Sequence, residues 1–195
     1  MSCLPSQILI AVLGAGNARR FGADKLAQPC GGRPLGSWAL QTALSMDAPV
    51  VWIAGSAAPG WVTCDIATNP RAAEGIGTSV ALAAHLAQAG DAQALLVLLA
   101  DMPLITTAML SDLIAGKAPA AFRQADGRPG VPALIPATLF GQLQALTGDQ
   151  GAGRVLAGQS DLTLLDAPPH ALLDVDTPAA LAEAEHWLSQ RDPCQ

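Results

Sequence analysis

The chain has 195 residues, of which 51% are apolar and 13% charged, with a net charge of −6. That composition excludes a disordered polymer, disfavours general nucleic-acid binding, and suits one domain over residues 1–195 built round a sizeable core. No apolar run approaches the roughly 20 residues of a membrane helix, and no cationic segment precedes an apolar one at the N-terminus, so a cytoplasmic protein without membrane or nucleic-acid partners is expected.

Taken in chain order, apolar strand-like runs alternate with helical patterns. Residues 8–13 (ILIAVL) read as a first strand and 35–45 as a helix. Residues 50–55 (VVWIAG) form a short buried strand, and 62–67 a further strand candidate. The alanine-rich segment 78–89 is helical. The continuous apolar run 94–99 (ALLVLL) has the character of a central parallel strand covered on both faces. A helix follows over 106–115, with Thr106 or Thr107 as its N-cap. Strands are expected near 120–123 and 132–135, helices over 137–146 and 151–156, and a late strand over 162–166. The closing helix runs over 178–189, with Pro178 at its first position. This alternation implies a three-layer α/β/α domain with a mainly parallel sheet, in which ligands bind beyond the carboxyl ends of the strands.

Four cysteines, at 3, 30, 64 and 194, form no CxxC pair and read as free thiols, while His85, His170 and His186 are scattered. Chemistry concentrates elsewhere. Residues 13–25 read LGAGNARRFGADK, directly after the first strand. Arg19, Arg20, Lys25 and Arg33 are four of the ten basic residues, a local cationic site on an acidic chain that suits a small phosphorylated ligand. The loop is not a Walker loop, because five residues separate Gly16 from Gly22 and Lys25 comes two residues late. It is not the dinucleotide fingerprint either: Arg19 stands at the third glycine, and the second strand ends at Gly55 rather than at an acid. Gly14 and Gly16 permit close backbone contact with a base or phosphate, and Arg20 and Lys25 can neutralise a triphosphate. An ordinary turn with solvated cations is the alternative.

Two acidic sites complete the pattern. Asp101 follows the central strand, as a metal ligand or as a turn or cap residue. Asp174 and Asp176 lie in LLDVDTP. In an extended segment their carboxylates share one face, but Asp176 or Thr177 equally suits an N-cap before Pro178. Hard carboxylates opposite a cationic loop suit Mg²⁺ holding a triphosphate.

These residues together resemble the molybdenum cofactor nucleotidyltransferases, a MobA-like family within the nucleotide-diphospho-sugar transferase fold. The family opening L-A-[AG]-G-x-S-x-R-M-G-x-x-K is matched by Leu13, Gly14, Ala15, Gly16, Arg20, Gly22 and Lys25. Gly75 to Ser79, Ala100 to Pro103, Gly127 to Pro132, Gly148 to Ala152 and Asp174 to Pro178 match five later motifs in the same order. The chain departs from the family at Gly14 (usually alanine), Ala18 (serine), Phe21 (methionine) and Val131, where histidine is common in the cytidylyl branch.

The resemblance implies a Rossmann-like nucleotidyltransferase fold. It also implies an Mg²⁺-dependent enzyme that moves CMP from CTP onto the terminal phosphate of molybdopterin or molybdenum cofactor, releasing pyrophosphate. Ala15 points to CTP, since guanylyl members carry a second glycine there. Arg20, Lys25 and Asp101 are the implied catalytic residues. Leu13, Gly14, Ala15, Gly16, Arg20, Lys25, Asn69, Gly75, Ser79 and Asp101 would bind the nucleotide, and Asp101 and Asp176 the metal. Gly127–Pro132 and Gly148–Ala152 would face the pterin, and a target molybdoenzyme is the implied transient partner. The alternatives are a GTP-using guanylyltransferase, a nucleotidyltransferase for a sugar or polyol phosphate, and a non-catalytic protein that delivers cofactor to a molybdoenzyme.

Overall fold

The computed structural model of the chain describes residues 7–15 and 25–190. Its centre is a seven-stranded sheet. In chain order the strands are β1 (Ile8–Leu13), β4 (Val50–Ala54), β5 (Asp65–Thr68), β6 (Ala94–Leu99), β7 (Ala120–Arg123), β8 (Pro129–Pro136) and β9 (Thr163–Leu165). A separate two-residue hairpin of β2 (Pro29–Cys30) and β3 (Arg33–Pro34) lies between β1 and β4. The sheet order is β5-β4-β1-β6-β8-β7-β9. All its pairings are parallel except those of β8, which runs antiparallel to β6 and β7.

Alternation along the central strands builds both faces. Ile8, Ile10, Val12, Leu96 and Leu98 point to one side and pack with Leu40 of α1 (Leu35–Leu44) and Leu110 of α3 (Thr107–Ala115). Ala11, Leu13, Leu95 and Val97 point to the other side. There they pack with Val80 and Ala84 of α2 (Ile76–Ala89), Leu143 of α4 (Phe140–Gln144) and Leu156 of α5 (Ala152–Leu156). A strand covered on both faces has no polar alternation to display, which is why ALLVLL is continuous. A smaller cluster of Leu35, Leu104, Val175, Ala184 and Leu188 docks α6 (Pro178–Ser189) beside the sheet end. No helix among the described residues is long and apolar enough to cross a membrane.

Both open capping alternatives resolve to threonine. Thr106 accepts the Met109 N–H at 3.3 Å and starts α3. Thr177 accepts the Ala180 N–H at 3.1 Å, with Pro178 at the first position of α6. The capping role therefore falls to Thr177 and not to Asp176.

Most boundaries fall within two residues of the sequence expectation, and three elements differ by more. β5 begins at Asp65 rather than 62, because Trp61 and Val62 reach the core from a turn closed by Val62 N–H to Pro59 O at 3.0 Å. β8 begins at Pro129 because it pairs with β7 in a hairpin. The 137–146 helix divides into a 3₁₀ turn over Ala137–Leu139 and the short α4.

Successive parallel strands run outward from β1 to β4 and β5, and the chain then returns to place β6 on the other flank of β1. Order reverses between β1 and β6, and such a reversal opens a crevice at the carboxyl ends of the strands. Gly14 and Ala15 after β1, and Ala100 and Asp101 after β6, stand at that end of the sheet.

Candidate active site

Three segments meet in the crevice. Ala100 N–H donates to Leu13 O at 3.1 Å, fixing the exit of β6 beside the exit of β1. Val175 N–H donates to Asp101 O at 3.0 Å, laying the 172–177 strap across the same place. Val175 is fully buried in the cluster that docks α6, so its neighbours Asp174 and Asp176 turn the other way.

The result is a compact group of charges. Lys25 Nζ lies 2.6 Å from Asp101 Oδ2 and 2.8 Å from Asp176 Oδ1. Its side chain is only 11% exposed, and that of Asp101 20%. Burial opposes the charge on Lys25, but Asp101 and Asp176 outweigh it and hold the ammonium above its ordinary value. Asp174 behaves differently. Loss of water round its carboxyl, reinforced by the charges on Asp101 and Asp176, pushes it up to about 7.

Oxygen atoms of Asp101, Asp174 and Asp176 lie within 4.8 Å of one another. Asp101 Oδ1 is buried and has no hydrogen-bond partner among the described residues. A buried carboxylate oxygen left without a donor is costly, and Lys25 meets only the other oxygen of this carboxylate. The donor set is all oxygen and hard, which suits Mg²⁺ or Mn²⁺ better than zinc. The residues present thus fit a divalent cation, with Asp101 as the inner donor and the two strap carboxylates beside it.

Leu13 is buried, with its carbonyl engaged by Ala100 and the next amide, Gly14 N–H, donating to Ile53 O at 2.9 Å. Gly14 and Ala15 line a cavity of about 360 Å³ together with Trp52, Gly55 and Ser56. Gly16 and Arg20 lie outside the described residues. Asn69 is 3% exposed and Ser79 fully buried. Asn69 Nδ2 donates to Thr78 Oγ1 at 2.9 Å and Ser79 Oγ at 3.0 Å, and its Oδ1 accepts the Arg71 N–H at 2.9 Å. Both amide hydrogens of Asn69 are therefore engaged within the chain, where they brace the turn that enters α2.

Gly75 has φ +122° at that turn, and a Cβ there would stand 2.3 Å from the Gly148 backbone. Gly77 N–H donates to Gly148 O at 2.8 Å. The 75–79 and 148–152 motifs thus press on each other, a contact that their separation in sequence conceals.

A second cavity, of about 890 Å³, reaches the strap at Leu172 and Asp174. Leu13, Ile76, Leu99 and Met102 give it an apolar wall, Asp174 borders it, and the 128–131 and 149–154 segments close it. Val131 is part of this lining.

Trp52 was not singled out by its sequence signal, a lone bulky aromatic in a strand of small and aliphatic residues. Its indole is buried, makes an edge contact with Trp61 at 5.3 Å, and fills the space that a side chain at position 14 would need. A Cβ on Gly14 would stand 2.1 Å from Trp52 Cζ2, and no positive φ otherwise demands glycine there. The departure from the family's alanine is thus matched by a tryptophan on the neighbouring strand. Gly14→Ala is expected to destabilise the fold by about 1–3 kcal/mol through overpacking. Adding Trp52→Leu should cost less than the sum of the two single changes. Urea unfolding midpoints of the two single variants and the double variant check this, and strict additivity would refute the pairing.

Residues 10–163 match the family described as MobA-like NTP transferase domain. Purine catabolism protein PucB of Bacillus subtilis (strain 168) is 34% identical over 193 residues, covering 89% of this chain and 94% of that protein. Rv0371c from Mycobacterium tuberculosis H37Rv has a crystal structure similar to this chain at TM-score 0.77 and 26% identity, covering 94% and 100% of the two chains. The structure of Rv0371c in complex with manganese gives TM-score 0.69 at 23% identity, over 92% and 98% of the chains. Molybdopterin-guanine dinucleotide biosynthesis protein A from Archaeoglobus fulgidus shares the fold at TM-score 0.67 and 16% identity, over 94% and 100%.

Proposed function

The chain belongs to the MobA-like NTP transferase family, and from that premise we propose that it transfers CMP from CTP to the terminal phosphate of molybdopterin or its molybdenum form, releasing pyrophosphate. The observation that carries this reading is the Lys25–Asp101–Asp176 cluster, whose chain neighbours Met102 and Asp174 border the larger cavity and Leu26 the smaller, both opening at the end of β1. The smaller one, with its glycine-lined rim, suits a base and ribose. The larger falls within the usual range for ligand clefts, roughly 300–1,000 Å³, and has room for a fused heterocycle with its phosphate.

In this reading an oxygen of the acceptor phosphate forms the new bond to the α-phosphorus of CTP. The bond from that phosphorus to the bridging oxygen breaks, and the electron pair leaves with pyrophosphate. The acceptor phosphate is ionised at neutral pH, so the chain need supply no general base. Its work is alignment and charge stabilisation.

Asp101 and Asp176, with Asp174 beside them, would hold a divalent cation, in our reading Mg²⁺, which neutralises triphosphate charge when bound. Lys25 would follow the charge that grows at the α-phosphate, and Arg20 would hold the β and γ phosphates. The backbone of residues 13–16 and the 75–79 turn would border the nucleotide, and Asn69 and Ser79 would act by holding that turn in shape. Transient contact with a target molybdoenzyme in the cytoplasm belongs to the same reading.

The direct experiment is pyrophosphate release by purified protein with Mg²⁺ and molybdopterin, comparing CTP, GTP, ATP and UTP. Release with CTP alone supports the proposal. Release with GTP alone keeps the mechanism and overturns the reading of Ala15, while release with none of the four removes this acceptor. Ala15→Gly is expected to shift the CTP/GTP ratio of kcat/KM toward GTP by about tenfold, the scale of one methyl group in a pocket. An unchanged ratio would place nucleotide selectivity elsewhere.

A further inference from the structure

Resting on the proposed function, we infer that Arg154 is the anchor for the acceptor's phosphate, positioning a phosphomonoester in the 890 Å³ cavity for attack. The residue carries no motif assignment.

Five arginines lie among the described residues, and four have partners. Arg71 pairs with Glu74 at 2.7 Å, Arg123 with Asp166 at 2.9 Å and Arg128 with Asp126 at 3.8 Å, while Arg33 lies over the Trp38 ring at 3.5 Å. Arg154 alone has neither a carboxylate nor a ring within the described residues. It also lines the large cavity, at whose border Asp174 stands.

Its backbone is held in place. Ala152, Val155 and Leu156 of α5 are buried beneath it. A Cβ on Gly153 would stand 2.4 Å from Pro129 O, so α5 presses directly on the start of β8. Arg154 is exposed on the opposite side of that short helix. An unpaired guanidinium on a rigid mount presents a planar fork of donors, which matches a phosphate's oxygens bidentately. Asp126, Asp149 and Asp174 line the same cavity, but no described carboxylate is paired with Arg154, and the carboxylate site would be neutralised by its own cation. The ligand class is therefore a phosphate monoester carried on a flat heterocyclic body whose ring face can rest on the Leu13–Leu99–Met102 wall.

The test has two arms. With CTP and molybdopterin as substrates, Arg154→Ala is expected to raise the acceptor KM about 10- to 100-fold, the scale of a charge-assisted hydrogen bond. The KM for CTP should stay within about twofold, and Arg154→Lys should recover part of the loss as a point charge. An unchanged acceptor KM, or equal losses for CTP and acceptor, overturns the inference. The second arm needs no turnover. Phenylglyoxal labelling of Arg154 in the wild-type protein is followed by peptide mass spectrometry, with inorganic phosphate as the probe. If the wild-type protein releases no pyrophosphate with molybdopterin, the acceptor reading falls and this arm decides the anchor. Slower labelling in phosphate sustains an anion site at Arg154, and an unchanged rate overturns it.

Discussion

Asp101→Ala is expected to slow pyrophosphate release by about 10²–10³-fold, the usual cost of removing one preorganised charge-stabilising group. Two features make this the largest single loss. Asp101 holds a buried oxygen without a hydrogen-bond partner among the described residues, and its backbone carbonyl binds the strap that carries Asp174 and Asp176. The substitution removes the first and leaves the second. The fold should therefore survive with a cooperative unfolding transition, while titration with Mn²⁺ should show divalent-ion affinity falling by at least tenfold. Asp101→Asn, which keeps the shape and removes the charge, should be nearly as slow. Near-normal turnover in either variant would show that the carboxylate is not the metal donor proposed here.

Lys25→Met should produce a loss of similar size in kcat, about 10²-fold or more, but with the opposite effect on the metal. The ammonium sits 2.6 and 2.8 Å from two of the three carboxylates, in the position of a built-in counter-ion. A cation arriving from solvent must compete with it. With the ammonium gone, the carboxylates repel one another unrelieved, and Mn²⁺ binding without nucleotide should tighten several-fold, as read by calorimetry. A loss confined to CTP affinity, with kcat intact, would make Lys25 a binding residue only. Weaker Mn²⁺ binding would show that it helps the metal rather than competing with it.

Much of this arrangement is legible in the chain. The continuous run ALLVLL marks β6 to the residue, because burial on both faces leaves no polar position. LGAG after ILIAVL marks the end of β1, and Gly14 and Ala15 there line the smaller cavity. Asp101 is legible as the first charge after the most buried strand. Other features are not. The direction of β8 has no periodic signature, because residues 132–135 are buried on both faces and read as a short apolar run like the parallel strands, so its hairpin with β7 appears only in space. The choice between Asp176 and Thr177 as cap depends on which oxygen reaches Ala180 N–H, and both suit a strap before proline. Asn69 carries a polar amide that reads as a ligand contact, whereas its hydrogens brace a buried turn. The pairing of Gly14 with Trp52 joins residues 38 positions apart, visible only once β1 lies beside β4.

The reversal of β8 also bears on how such a chain can diversify. β8 starts where β7 ends, so the hairpin leaves the 124–128 turn at the carboxyl end of the parallel strands, where the turn forms one wall of the larger cavity. The turn closes on itself, with Gln124 N–H to Arg128 O at 2.8 Å and Gly127 N–H to Gln124 O at 2.8 Å. Each doubling of such a loop adds only about 0.6 kcal/mol in closure entropy. Insertions there leave the β1–β6 pairing and the Lys25–Asp101 contact untouched. One half of the sheet can thus keep a constant reaction centre while a hairpin on the other half is reshaped, lengthened or re-charged, so that descendants of one ancestor could take on new acceptors by editing a single turn.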